Sequence, residues 1–72
     1  MNHLIDMLQK SAEADKSKAL LTLELLSNYP AGIGDHSTDD FYKNAEEAVA
    51  LLAEADDRLE AIKKYLINKK VL

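Results

Sequence analysis

The fold is decided by residues 41–66, which read FYKNAEEAVALLAEADDRLEAIKKYL. Apolar side chains recur here at alternating steps of four and three residues: Phe41, Ala45, Ala48, Leu52, Ala55, Leu59, Ile62 and Leu66. That spacing places them along one side of a helix with a period of about 3.5 residues, which is typical of a seam between two helices. Neither a charge nor a Gly or Pro interrupts the stripe. The pattern therefore predicts a long helix that packs against another helix.

The partner helix is predicted in the preceding part of the chain. Strong helix formers fill about residues 2–27, and no Gly or Pro occurs before Pro30. The best apolar stripe of this segment consists of Ile5, Leu8, Ala12, Ala19, Leu23 and Leu26. The stripe turns polar in its middle, at Asp15 and Lys16. We expect alanines to carry the packing there, with charged side chains spread around them.

A turn is predicted over about residues 28–36. Pro30 disfavours a helical conformation at the residue before it, and Gly32 and Gly34 adopt positive φ at little cost. A second helix over about residues 37–68 then follows, with acidic side chains early and basic side chains late, as the helix dipole favours. The predicted fold class is all-α: one domain, residues 1–72, that forms an antiparallel two-helix hairpin with coiled-coil packing.

Composition leaves self-association as the expected means of stabilisation. A single core is marginal in a 72-residue domain, and such domains often add disulfides, a metal or further subunits. The chain has no Cys and only two distant histidines, His3 and His36, so a structural zinc site is not predicted. The helices also carry more apolar surface than one seam covers. We expect two hairpins to pair into a four-helix bundle, most simply a homodimer, through these candidate interface residues: Leu20, Leu21, Leu25, Val49, Leu51 and Tyr65.

The formal charge of −4 argues against general binding of nucleic acid or of anionic membranes, because both require a basic surface. Residues 1–10 interrupt their apolar positions with Asp6, Gln9 and Lys10, unlike the continuous apolar segment of a signal peptide. No apolar run approaches the length of a membrane span. These features predict a soluble, cytoplasmic protein.

The connection between the helices is the candidate recognition loop. Its residues are Tyr29, Gly32, Ile33, Gly34, Asp35 and His36. Two glycines followed by the free amides of a helix start can receive an anion, and His36 with nearby aspartates can receive a hard cation. A tight turn that ends in a helix cap explains the same residues, and the aspartates would repel an anion. We favour the cap, and we predict neither a metal nor a cofactor.

No catalytic residue is predicted. A carboxylate-bridged dimetal centre needs Glu-x-x-His pairs, and neither histidine has a Glu three residues before it. The serines lie in no nucleophile elbow, and a thin helical rod offers little concavity. The lysine pairs 63–64 and 69–70 are typical of a solvated helix end, with a docking patch for an acidic partner as the alternative.

Short segments of the chain resemble a known group of proteins. They are TLELL at 22–26, GIGDH at 32–36, LAEADDRL at 52–59 and KYL at 64–66. Together they resemble small uncharacterised helical proteins of T4-like tailed phages, including cyanophages. In those proteins a Pro often follows the His, which implies that His36 caps the second helix, whereas here Ser37 follows it. The resemblance implies an accessory protein of an infected bacterial cell and brings no activity with it.

The functional hypothesis is a non-enzymatic accessory or adaptor protein that self-associates and binds a host or phage protein through its bundle surface. The alternative is an oligomeric small-ligand binder, for example of a nucleotide, whose pocket is formed by Tyr29, the Gly32-Ile33-Gly34 turn and His36. The two hypotheses differ in a simple observable. A ligand binder gains thermal stability when its ligand is added, whereas an adaptor does not.

Overall fold

The computed structural model of the chain describes residues 2–28 and 38–68, which form two antiparallel helices in contact along their length. Helix α1 spans His3–Asn28 and helix α2 spans Thr38–Ala61. A short π-helical segment, Ile62–Ile67, continues directly from α2. Every element in this part of the chain is helical, so the predicted all-α hairpin is confirmed.

The start of α1 is determined by a local cap. The Asn2 side chain accepts hydrogen bonds at its Oδ1 from the backbone amides of Leu4, at 2.9 Å, and Ile5, at 3.2 Å. These amides lack partners within the helix, and an Asn at the N-cap position supplies one. Asp6 in the first turn adds a negative charge where the helix dipole is positive. The helix therefore begins at His3, within one residue of the predicted start.

The core of the hairpin is a line of alanines. Ala12 and Ala19 of α1 and Ala48 and Ala55 of α2 are buried, and no larger side chain is fully buried in the described part of the chain. Small side chains let the two backbones approach closely. The larger seam residues are half-buried beside them: Ile5, Leu8, Leu23, Leu26, Phe41, Leu52, Leu59 and Ile62. Both predicted stripes are therefore confirmed, except at Leu66, which is 38% exposed.

The end of α2 differs from the prediction of a regular helix to about residue 68. Over Ile62–Ile67 the backbone forms a π-helix, and the amide of Asn68 donates to the carbonyl of Lys63, five residues earlier, at 2.7 Å. A π turn takes in one more residue than an α turn. Beyond Ile62, a spacing of three and four residues therefore no longer keeps side chains on the face that meets α1. Leu66 accordingly does not continue the buried stripe. Leu66 and Ile67 instead line one shallow groove with Ile5 of α1.

The molecule exposes more surface than a compact monomer of the same mass. Its accessible surface is 5657 Å², and its extents are 50 × 21 × 15 Å. A compact monomer of 8.0 kDa would expose about 4,450 Å², so the excess is about 1,200 Å². Two helices side by side form a rod without a thick interior. Large apolar side chains therefore remain on its surface.

The alanine seam makes a direct prediction about stability. Ala55→Leu places an isobutyl group at a position that is 0% exposed, and overpacking of this kind should lower the free energy of unfolding by about 1–3 kcal/mol. Urea unfolding followed by circular dichroism measures the change. The matched control is Ala53→Leu, at an exposed position of the same helix. Equal stability of the two variants would contradict close packing at Ala55.

Candidate interaction surfaces

The seam has two flanks, which are distinguished by the polar contacts that bridge the helices. On one flank Arg58 of α2 reaches Ser11 and Asp15 of α1. On the other flank Lys16 of α1 reaches Asp56 of α2, with 2.9 Å between Nζ and Oδ1. We name these surfaces the Arg58 flank and the Lys16 flank. Exposed apolar side chains occur on both.

The Arg58 flank contains a shallow groove of about 290 Å³ between the helices. Its lining residues are Lys18, Ala19, Thr22, Leu26, Asn44, Glu47, Ala48 and Leu51. Leu51 is half-buried in this groove, so the hairpin already covers part of a residue predicted for the subunit interface. Leu25 follows Lys18 by seven residues and lies on the same side of α1, whereas Leu21, two residues after the buried Ala19, lies further round, toward the face opposite α2. Leu21 is 56% exposed and Leu25 is 50% exposed.

The Lys16 flank carries a second apolar group. Leu20 lies one helical turn after Lys16, and Val49 lies two turns before Asp56. Both are exposed. Tyr42 lies two further turns before Val49, and its ring contacts the Phe41 ring edge to face, with 6.1 Å between centroids. These side chains are separated from the apolar group of the Arg58 flank by the seam itself.

The remaining predicted interface residue, Tyr65, lies in the π-helical segment. It is 45% exposed, and the Lys64 ammonium lies 5.3 Å from its ring centroid. The predicted interface residues are thus divided between two flanks and one end of the rod, rather than gathered in one patch. Their role in subunit contact stays a prediction.

An ion pair between Asp15 and Arg58 lies where polar residues interrupt the apolar stripe of α1. Arg58 Nη1 donates to Asp15 Oδ2 at 2.7 Å, and Arg58 Nη2 donates to Ser11 Oγ at 3.4 Å. The hydrogen bond from Arg58 lowers the pKa of Asp15, partial burial acts in the opposite direction, and the charges of Arg58 and Lys18 lower it further. A pair of side chains about one-third exposed contributes little to stability, because solvent screens it. The pair joins Asp15 and Arg58 at one level of the two helices, and it forms only in this register.

This pairing was not predicted from the sequence, although a signal for it exists. Asp15 lies at a seam position, three residues after Ala12 and four before Ala19. A charge at such a position needs an opposite charge at the same level of the partner helix. Arg58 is the only arginine in the chain and lies between Ala55 and Leu59, which are both seam residues. The antiparallel alignment of the helices identifies it as the partner.

The candidate recognition loop and the predicted cap of the second helix lie outside the described residues, as does the 69–70 lysine pair. Among residues 2–28 and 38–68, no group of three or more His, Cys, Asp or Glu side chains is placed to hold a metal ion. Within the same ranges, no helix is both long and apolar enough to cross a membrane. The hydroxyls of Thr22 and Ser27 donate to backbone carbonyls of their own helix, at 2.9 and 2.7 Å.

Comparison of the chain with protein-family models, curated proteins and solved structures finds no match. The resemblance to proteins of T4-like phages therefore stays a prediction. The surfaces of the hairpin are therefore the features that bear on its function.

The Asp15–Arg58 pair predicts a specific pH dependence. Because the pKa of Asp15 is lowered in the folded state, its contribution to stability is present above the unfolded pKa of about 3.9 and is lost as the pH falls through the lower folded value. The difference in free energy of unfolding between the wild type and Asp15→Asn should therefore shrink below about pH 4. Urea titrations of both proteins over a pH series measure it.

The matched control is the same comparison in an Arg58→Met background. Without the Arg58 hydrogen bond, the stability difference caused by Asp15→Asn should no longer shrink as the pH falls. A difference that still shrinks at low pH in this background would show that another group, such as Lys18, lowers the pKa of Asp15.

Proposed function

We propose that this protein is a non-enzymatic accessory or adaptor that self-associates through exposed faces of its helices and binds another protein. One observation carries the proposal: alanines are the only fully buried side chains in the described ranges, while many large apolar side chains are well exposed. The exposed set is Leu4, Met7, Leu20, Leu21, Leu25, Tyr42, Val49, Tyr65, Leu66 and Ile67. Exposed apolar surface of this extent is typical of interaction sites.

The energetics support pairing of hairpins. Burial of apolar surface contributes about 25 cal/mol per Å², and alanines contribute little area each. Within the described residues, ten large apolar side chains remain exposed, and the hairpin has no further helix in those ranges to cover them. A homodimer arranged as a four-helix bundle covers this surface without any further element.

The division of apolar residues between two flanks supports an adaptor role. When one flank packs against a second hairpin, the other flank stays exposed and is present in both subunits. On the Lys16 flank such a surface would include Leu20, Val49 and Tyr42, beside the charges of Lys16 and Asp56. An apolar centre with a charged rim fits a protein surface. The resemblance to T4-like phage proteins suggests a host or phage protein in an infected bacterial cell as the partner.

Self-association is tested by the mass of the protein in solution. We expect light scattering coupled to gel filtration at micromolar concentration to give a multiple of 8.0 kDa, with two subunits as the simplest case. Leu21→Asp should lower that mass or unfold the protein, because it places a charge in a surface that needs a partner. Ala50→Asp, at an exposed position of α2, is the matched control and should keep the oligomer.

A wild-type monomer would contradict the proposal, as would a folded Leu21→Asp variant of unchanged mass. The small-ligand alternative rests on a loop outside the described residues, and no described contact favours it. A rise in melting temperature with a nucleotide panel would favour that alternative over the adaptor.

A further inference from the structure

Helix α1 carries a second stripe, which extends from the Arg58 flank onto the side of α1 that faces away from α2. It repeats the alternating spacing of three and four residues, and all its members are exposed: Leu4, Met7, Ser11, Ala14, Lys18, Leu21 and Leu25. We name this set the outer stripe. It runs for about 32 Å along the helix, at 1.5 Å per residue. A stripe with this period matches the seam of a further helix.

The outer stripe has the same order of residue types from either end, and its paired positions match to within one residue. Two apolar residues lie at each end of the stripe. One polar residue follows each pair toward the centre, and Ala14 lies in the middle. When a second copy of α1 is turned end for end, Leu4 comes opposite Leu25 and Met7 opposite Leu21. Ala14 then comes opposite its own copy. Each of the two apolar pairs occurs twice, because the arrangement is symmetric.

The polar residues select the antiparallel direction. In a parallel pair in register, Lys18 would face the Lys18 of the other copy, and like charges that face each other destabilise a helix pair. In the antiparallel pair, Lys18 faces Ser11 instead, while its aliphatic stem covers apolar surface. Asp15 borders the centre of the stripe, but its charge is already compensated by Arg58 at 2.7 Å. The centre of the interface therefore carries small or paired groups.

We propose that a second copy of this chain packs on the outer stripe, with its α1 antiparallel to the first and a two-fold axis passing beside Ala14. The inference rests on the proposed self-association and specifies its face and its direction. Leu4, Met7, Leu21 and Leu25 are four of the five exposed large apolar side chains of α1, and all four lie in this interface. In this dimer the apolar residues of the Lys16 flank stay exposed and available to a partner.

Engineered cysteines test the arrangement, and the absence of Cys from the chain gives a clean background. In Ala14→Cys, the two thiols meet at the axis, where a disulfide requires Cβ atoms about 4 Å apart. Oxidation with diamide should therefore convert most of this variant to a covalent dimer at micromolar concentration. Ala50→Cys, at an exposed position of α2, is the matched control and should stay largely uncrosslinked.

A second pair of variants tests the direction independently of Ala14. When Leu4→Cys and Leu25→Cys proteins are mixed and oxidised, the mixed disulfide should exceed either homodimer by severalfold. Preferential Leu4–Leu4 or Leu25–Leu25 crosslinking would show a parallel pair and overturn the inference. Circular dichroism of each reduced variant confirms that the helices are intact.

The mass of the wild-type protein in solution distinguishes a failure of the proposed self-association from a failure of the outer-stripe arrangement. An oligomer whose Ala14→Cys variant does not crosslink would overturn the outer-stripe arrangement and leave self-association intact. A wild-type monomer would overturn both. An oligomer whose Ala14→Cys and mixed Leu4/Leu25 variants both crosslink supports the inference.

Discussion

Close packing of alanines between α1 and α2 is the constraint on which the rest of this molecule depends. At Ala12, Ala19, Ala48 and Ala55 the two backbones approach so closely that the side chains are almost completely buried. Close approach keeps the rod thin, and a thin rod has no interior in which larger side chains can be buried. The leucines around the seam are therefore half-buried or exposed, and the apolar surface left over is the basis of the proposed self-association.

A seam of alanines is weakly specific, because one methyl group packs against another almost equally well when the helices slide by two turns. The polar contacts resolve this ambiguity. Arg58 forms an ion pair with Asp15, the charged residue that interrupts the apolar stripe of α1. Lys16 forms an ion pair with Asp56 on the opposite flank. A slipped register would separate both pairs and leave Asp15 without its counter-charge. Both ion pairs are partly exposed and contribute little to the free energy of folding, but both form only in the observed register.

Alignment in turn determines which surfaces the hairpin presents. The observed register brings Leu51 against α1 and leaves the outer stripe of α1 exposed. It also leaves Leu20 and Val49 exposed across the seam. Two separate apolar surfaces suit a protein that pairs with its own copy on one side and with a different protein on the other, which is the arrangement we propose.

The two helices, their buried stripes and the antiparallel hairpin follow from the amino-acid sequence, because helical periodicity and turn residues act between near neighbours in the chain. The pairing of Asp15 with Arg58, the partial burial of Leu51 and the division of the surface into two flanks are visible only in the folded hairpin. Each of these depends on the level at which one helix meets the other. The π-helical end, Ile62–Ile67, belongs with them: there the backbone widens where the segment meets the first turns of α1, and the heptad pattern contains no sign of that change.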